Sequence, residues 1–162
     1  LPPPPTAKAE LPERLLVLIP GGKVPNAHYA ATAAAVQRSV SQAVRLWATI
    51  PAVLGRLCVA SCPAPLACAP LRHVVESTLQ RAEQQGWARS RAGGDIWLVG
   101  HSLGGVCANT LFKAWPAEAP PAGLILLGSY VDESGAHSLV RYPAPVLMVN
   151  GELDGLTRPG KT

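Results

Sequence analysis

The sequence predicts an α/β protein, a three-layer αβα sandwich built on a mostly parallel sheet. Strand-like and helix-like segments alternate along most of the 162 residues, the pattern of a parallel sheet with helices on both faces. The strand segments are continuous apolar runs rather than alternating ones, as expected when both faces of a strand are buried. Hydrophobic residues make up 48% of the chain and charged ones 15%. That balance is globular and far from the high-charge signature of disorder.

Residues 1–12 are proline-rich and lack periodicity, so they are expected as an extended, disordered arm ahead of a single domain over 13–162. LLVLIP, Leu15–Pro20, is the first buried strand and ends in two glycines. Asn26 is the expected N-cap of an alanine-rich helix reaching about Val44. RLWAT begins a second strand at Arg45, and a cysteine-bearing loop follows. Leu71, Val74, Val75, Thr78, Leu79 and Ala82 recur at spacings of three and four, which predicts a helix stopped at Gly86. DIWLVG (Asp95–Gly100) is the next strand, and Ser102 to about Trp115 the next helix. AGLILLGS (Ala122–Ser129) and PVLMVNG (Pro145–Gly151) are two further strands, expected to be buried.

The segment that carries chemistry is GHSLGG, Gly100–Gly105. A serine hydroxyl is a weak nucleophile until it is presented and deprotonated. Here the serine stands between an apolar strand and a helix, the strand–turn–helix context of the G-x-S-x-G motif. Gly100 and Gly104 leave room for a sharp turn that would place Ser102 at the carboxyl edge of the sheet. Two backbone N–H groups must face the oxyanion that forms during attack. Leu103, next after the serine, is the first expected donor. IPGGKV, Ile19–Val24, supplies the second: Gly22 is preferred, with Gly21 and Lys23 as alternatives. Asp154, just past the last strand, is the expected acid. Glu152 competes with it, and Asp132 and Glu133 are weaker candidates.

From IPGG through GHSLGG to GELDGLTR, the chain resembles the α/β-hydrolase superfamily, specifically its single-domain serine hydrolases with little or no cap. The resemblance spans nearly everything from Leu15 to Arg158, and Tyr130–Ala144 is too short for a large lid. It implies a carboxylic ester hydrolase of esterase or lipase type working through an acyl-serine intermediate on a small acyl substrate. A thioesterase, amidase or acyltransferase on the same scaffold is compatible with these motifs. The alternative of another class is a non-catalytic protein of the same fold that binds a ligand or partner.

The resemblance also implies a histidine after the acid. His28, His73, His101 and His137 all precede Asp154. His137 is the one between Ser102 and Asp154, and using it would break the usual chain order, although such triads are defined by geometry. The family has edge strands before Leu15 and after Asp154 that are not visible here, and the chain begins with leucine. The expectation is therefore a partial domain lacking its C-terminal part, whose isolated chain is inactive for want of the base.

Other functions are disfavoured. The net charge is +4, but the arginines are scattered, without the basic patch and stacking aromatics of a nucleic-acid surface. No apolar run approaches the ~20 residues of a membrane span. No signal peptide is read at the N-terminus of the sequence; a soluble chain is expected, and its compartment is left open, the cytoplasm being one reading. Cys58, Cys62 and Cys68 match no zinc-ligand spacing. They are expected as free thiols, a disulfide within their loop being the other reading, and Cys107 as a small buried apolar residue. No phosphate loop, dinucleotide fingerprint or metal constellation appears, so no metal or cofactor is expected.

Overall fold

Leu15–Ile19 is an inner strand of the sheet, paired on both sides. The computed structural model describes residues 1–58, 68–90, 93–130 and 142–151. Among these, five strands form one sheet: β1 (Glu13–Ile19), β2 (Arg45–Thr49), β3 (Ile96–His101), β4 (Gly123–Leu127) and β5 (Val146–Val149). Their order is β2-β1-β3-β4-β5, and every pair is parallel. The register sets Val17 beside Thr49 and Leu98, and Leu98 beside Leu124. Helices α1 (Ala30–Val40), α2 (Ala69–Gln84) and α3 (Leu103–Lys113) provide the connections or parts of them. The α/β class and layered parallel architecture are as the alternating pattern predicts.

The two faces carry separate cores. Leu15, Val17, Ile19, Leu98, Leu124 and Leu126 point to one side and pack with α2 and α3. On α2 the buried positions are Leu71, Val75, Leu79 and Ala82, one stripe at helical spacing. Each fully buried aliphatic side chain contributes roughly 2 kcal/mol of transfer free energy. Leu16, Leu18, Leu46 and Val99 point to the other side, against Tyr29, Val40 and Val44 around α1. Among the described residues no helix is long and apolar enough to cross a membrane.

Four expectations need correction. Asn26 caps no helix: Asn26–Tyr29 is a 3-10 turn without a side-chain cap, and α1 starts only at Ala30. The Asn26 Nδ2 group instead donates to the Ile50 carbonyl at 3.3 Å, tying the turn to the end of β2. Next, β5 is not buried on both faces. Leu147 is 53% exposed and Val149 50%, because β5 is an edge strand and no described element covers that side of it.

The cysteines are not free thiols. Cys58 and Cys107 form a disulfide across 49 residues, with Cα atoms 6.1 Å apart, inside the normal span of such a bond. Cys68 is oxidised as well. Burial of Cys107 at 1% exposure therefore reflects a cross-link and not only packing. Finally, the proline-rich arm lies along the β2 edge. The Leu1 carbonyl accepts from Ala48 N–H at 3.0 Å, and the Leu1 ammonium donates to the Ala48 carbonyl at 2.8 Å. The Gln37 amide reaches the carbonyls of Leu1, Pro2 and Leu46.

Candidate active site

In an open parallel sheet, ligands bind beyond the carboxyl ends of the strands, at the point where successive connections leave on opposite faces. Here that point lies between β1 and β3, with α1 on one face and α2 and α3 on the other. The loop after β1 contains Gly21 and Gly22. The turn after β3 contains Ser102. Ile19 pairs with Gly100, so the two loops emerge side by side.

Ser102 has φ 50 and ψ −124, a conformation that L-residues adopt only at a cost of order 1–3 kcal/mol. Its surroundings hold it there. Ser102 N–H donates to the Leu127 carbonyl at 2.9 Å, and the Ser102 carbonyl accepts from Gly105 N–H at 2.8 Å. The turn is so tight that a Cβ at Gly100 would overlap the Gly104 carbonyl, and one at Gly104 would overlap the carbonyls of Ile19 and Pro20. Only glycine lets α3 approach β1 this closely.

The first amide of α3 belongs to Leu103, and such an amide has no partner within its own helix. Gly22 sits against the same residue: a Cβ on Gly22 would stand 3.1 Å from Leu103 Cδ2. Three amides of the first loop were candidates for the second donor, and hydrogen bonding separates them. Gly21 N–H is taken by Tyr29 Oη at 2.9 Å. Lys23 N–H is taken by the Arg56 carbonyl at 2.7 Å. Among the described residues Gly22 N–H has no such partner. The structure thus brings Ser102, Leu103 and Gly22 together at one edge.

Two residues that sequence reasoning passed over shape this arrangement. Tyr29 Oη, besides accepting from Gly21, lies 2.8 Å from His101 Nδ1, with the rings tilted at 56°. A single proton therefore lies between the phenol oxygen and the imidazole. Arg56 holds the loop from the opposite side, and two residues later Cys58 is bonded to Cys107 on α3. Cys58 Sγ also lies 3.3 Å from the Leu103 carbonyl, a contact without a hydrogen, since the sulfur is oxidised. No local signal marks either residue, because Tyr29 and Arg56 act across 72 and 33 residues respectively.

His28 and His73 are exposed, on the 3-10 turn and on α2. Asp154 with its competitors Glu152, Asp132 and Glu133, and also His137, lie outside the described residues. The described chain leaves β5 at the same sheet edge, since Gly128 N–H donates to the Val149 carbonyl at 2.8 Å. That exit is two strands, roughly 10 Å, from β3. The parallel sheet is compatible with the α/β-hydrolase resemblance. The chain matches no protein-family model and no curated protein.

Proposed function

We propose that the protein is a serine hydrolase of the α/β-hydrolase type that cleaves a carboxylic ester, or a related acyl bond, through an acyl-serine intermediate. The observation that carries this reading is the strained Ser102 turn at the sheet edge, with Gly22, whose amide has no hydrogen-bond partner among the described residues, packed beside the Leu103 side chain. In this reading Ser102 Oγ bonds to the acyl carbon while the carbonyl π electrons move onto oxygen. The Leu103 and Gly22 N–H groups hold that oxyanion. Collapse expels the alkoxide, which leaves with the proton given up by Ser102. Water then attacks the acyl-serine, releasing the acid and restoring the hydroxyl.

The proton needs a carrier, and the reading assigns that to a histidine oriented by Asp154. Among the described residues no histidine is hydrogen-bonded to Ser102. His101 is engaged by Tyr29 through Nδ1, and this favours the competing reading of a binding protein without turnover.

A serine-directed fluorophosphonate probe separates the two readings on the complete gene product. Labelling of the wild type that disappears in Ser102→Ala is the expected result. A folded wild type that resists the probe would overturn the hydrolase reading in favour of binding alone.

A further inference from the structure

Among the described residues three non-glycine residues have left-handed φ: Lys23 at 63°, Arg56 at 57° and Ser102 at 50°. All three meet at the same sheet edge. Such conformations persist only where neighbouring structure fixes them, and they cluster at functional sites. The Lys23 amide is bonded to the Arg56 carbonyl, and the disulfide at Cys58 anchors that segment to α3. The backbone is held in this shape at both cationic residues.

What the shape achieves is the placement of two positive side chains. Lys23, Val53, Gly55 and Arg56 line an open cleft of about 560 Å³. A second, of about 230 Å³, shares Val53 and Arg56 and runs to Pro20, the residue before Gly21. Among the described residues no carboxylate lines either cleft. Among the described residues the ion pairs are those of Arg45 and Arg89 with Glu13, Glu76 and Glu83, and none involves Lys23 or Arg56. A cleft with two cations that have no acidic partner among the described residues, one of them next to Gly22 in the chain, is complementary to an anion. Guanidinium and ammonium both donate hydrogen bonds to carboxylate and phosphate oxygens.

We propose that Lys23 and Arg56 bind a negatively charged group of the substrate, a carboxylate or a phosphate, and thereby select anionic esters. The assignment rests on the hydrolase reading of Ser102. The test compares three activated esters of equal chain length on the complete gene product: 4-nitrophenyl hexanoate, the 4-nitrophenyl half-ester of adipic acid, and 4-nitrophenyl 6-phosphohexanoate. At low salt, kcat/KM for one or both anionic esters should exceed that for the hexanoate by about fivefold, and the better one identifies the group. Salt should erase the preference, because exposed charge pairs are screened within about 3 Å at 1 M.

Lys23→Gln and Arg56→Gln should each lower the anionic-to-neutral ratio by about threefold, the size of a partly exposed charge contact. The salt dependence needs no variant and stands even if a substitution impairs folding. A ratio near one in the wild type, with Ser102 still labelled by the fluorophosphonate, overturns the charge assignment alone. An anionic preference untouched by either substitution also overturns it. Failure to cleave any of the three esters, together with no Ser102-dependent labelling, overturns this assignment and the hydrolase reading together.

Discussion

Tyr29 Oη stands 2.8 Å from His101 Nδ1 and at the same time accepts the Gly21 amide at 2.9 Å. One hydroxyl therefore clamps the loop after β1 to the residue beside the serine. The clamp occupies the Gly21 amide, while the Gly22 amide has no hydrogen-bond partner among the described residues. Tyr29→Phe keeps the ring and removes the clamp. The loss should cost about 1 kcal/mol, as for one neutral hydrogen bond. Hydrogen exchange at the Gly21 amide should accelerate by about fivefold, the same free energy read locally. Exchange measured residue by residue by NMR checks this, and an unchanged Gly21 rate counts against the clamp.

Ser102 should be a position where stability and activity oppose each other. Ser102→Gly relieves a strained backbone, a gain of order 1–3 kcal/mol. It also loosens the unfolded chain, which returns about 0.4–1 kcal/mol. The net expectation is a variant about 1 kcal/mol more stable than the wild type and inert to fluorophosphonate. In a domain of this size that corresponds to a rise in Tm of about 3 °C. Ser102→Ala keeps a Cβ on the same backbone and should show no comparable gain, so paired thermal melts isolate the strain.

The disulfide closes 49 residues between Cys58 and Cys107. The chain-entropy model puts its removal at about 4 kcal/mol, so Cys58→Ala/Cys107→Ala should melt roughly 10 °C below the wild type. Alkylation of the denatured, unreduced protein should leave Cys58, Cys68 and Cys107 unmodified, and peptide mass spectrometry reads this directly.

Glu13 ties the start of β1 to two neighbours. Its Oε1 accepts from Arg45 Nε at 3.0 Å and its Oε2 from Ala88 N–H at 3.1 Å. Desolvation acts to raise its pKa, but the Ala88 amide and the Arg45 guanidinium outweigh it and hold the carboxyl below the ordinary glutamate value of 4.5. A depressed folded pKa contributes stability that is present above the unfolded value and is lost as pH falls through the folded one. Stability should therefore decline below about pH 4.5. Glu13→Gln should flatten that part of the decline, as read by urea midpoints across the acid range.

Much of this architecture was legible in the residue order, and the reasons differ by element. Leu15–Ile19 and Leu124–Leu127 are apolar without interruption, which only a strand buried on both faces requires. The α2 stripe from Leu71 to Ala82 announces its face through spacing. GHSLGG announces a turn because glycines at 100 and 104 are needed where backbones nearly touch. Each signal is local.

What escaped reading depends on partners far apart in the chain. Nothing near Cys58 points to Cys107, and the pairing becomes visible only once the fold sets Cys58 against α3. Asn26 looks like a cap, yet the fold brings the Ile50 carbonyl within its reach and a 3-10 turn forms instead. Leu147 and Val149 look like core residues, but exposure at a sheet edge is decided by what packs beside it. That the Gly21 and Lys23 amides are engaged, by Tyr29 and Arg56, cannot be read from the loop's own residues.

The Cys58–Cys107 bond has one more consequence. It turns the stretch holding α2 and β3 into a covalent ring. A protease that nicks the chain once inside that ring releases nothing: the two pieces stay joined, and the serine turn remains attached to both. On a gel such a molecule would run as one band until a reducing agent opened it into two.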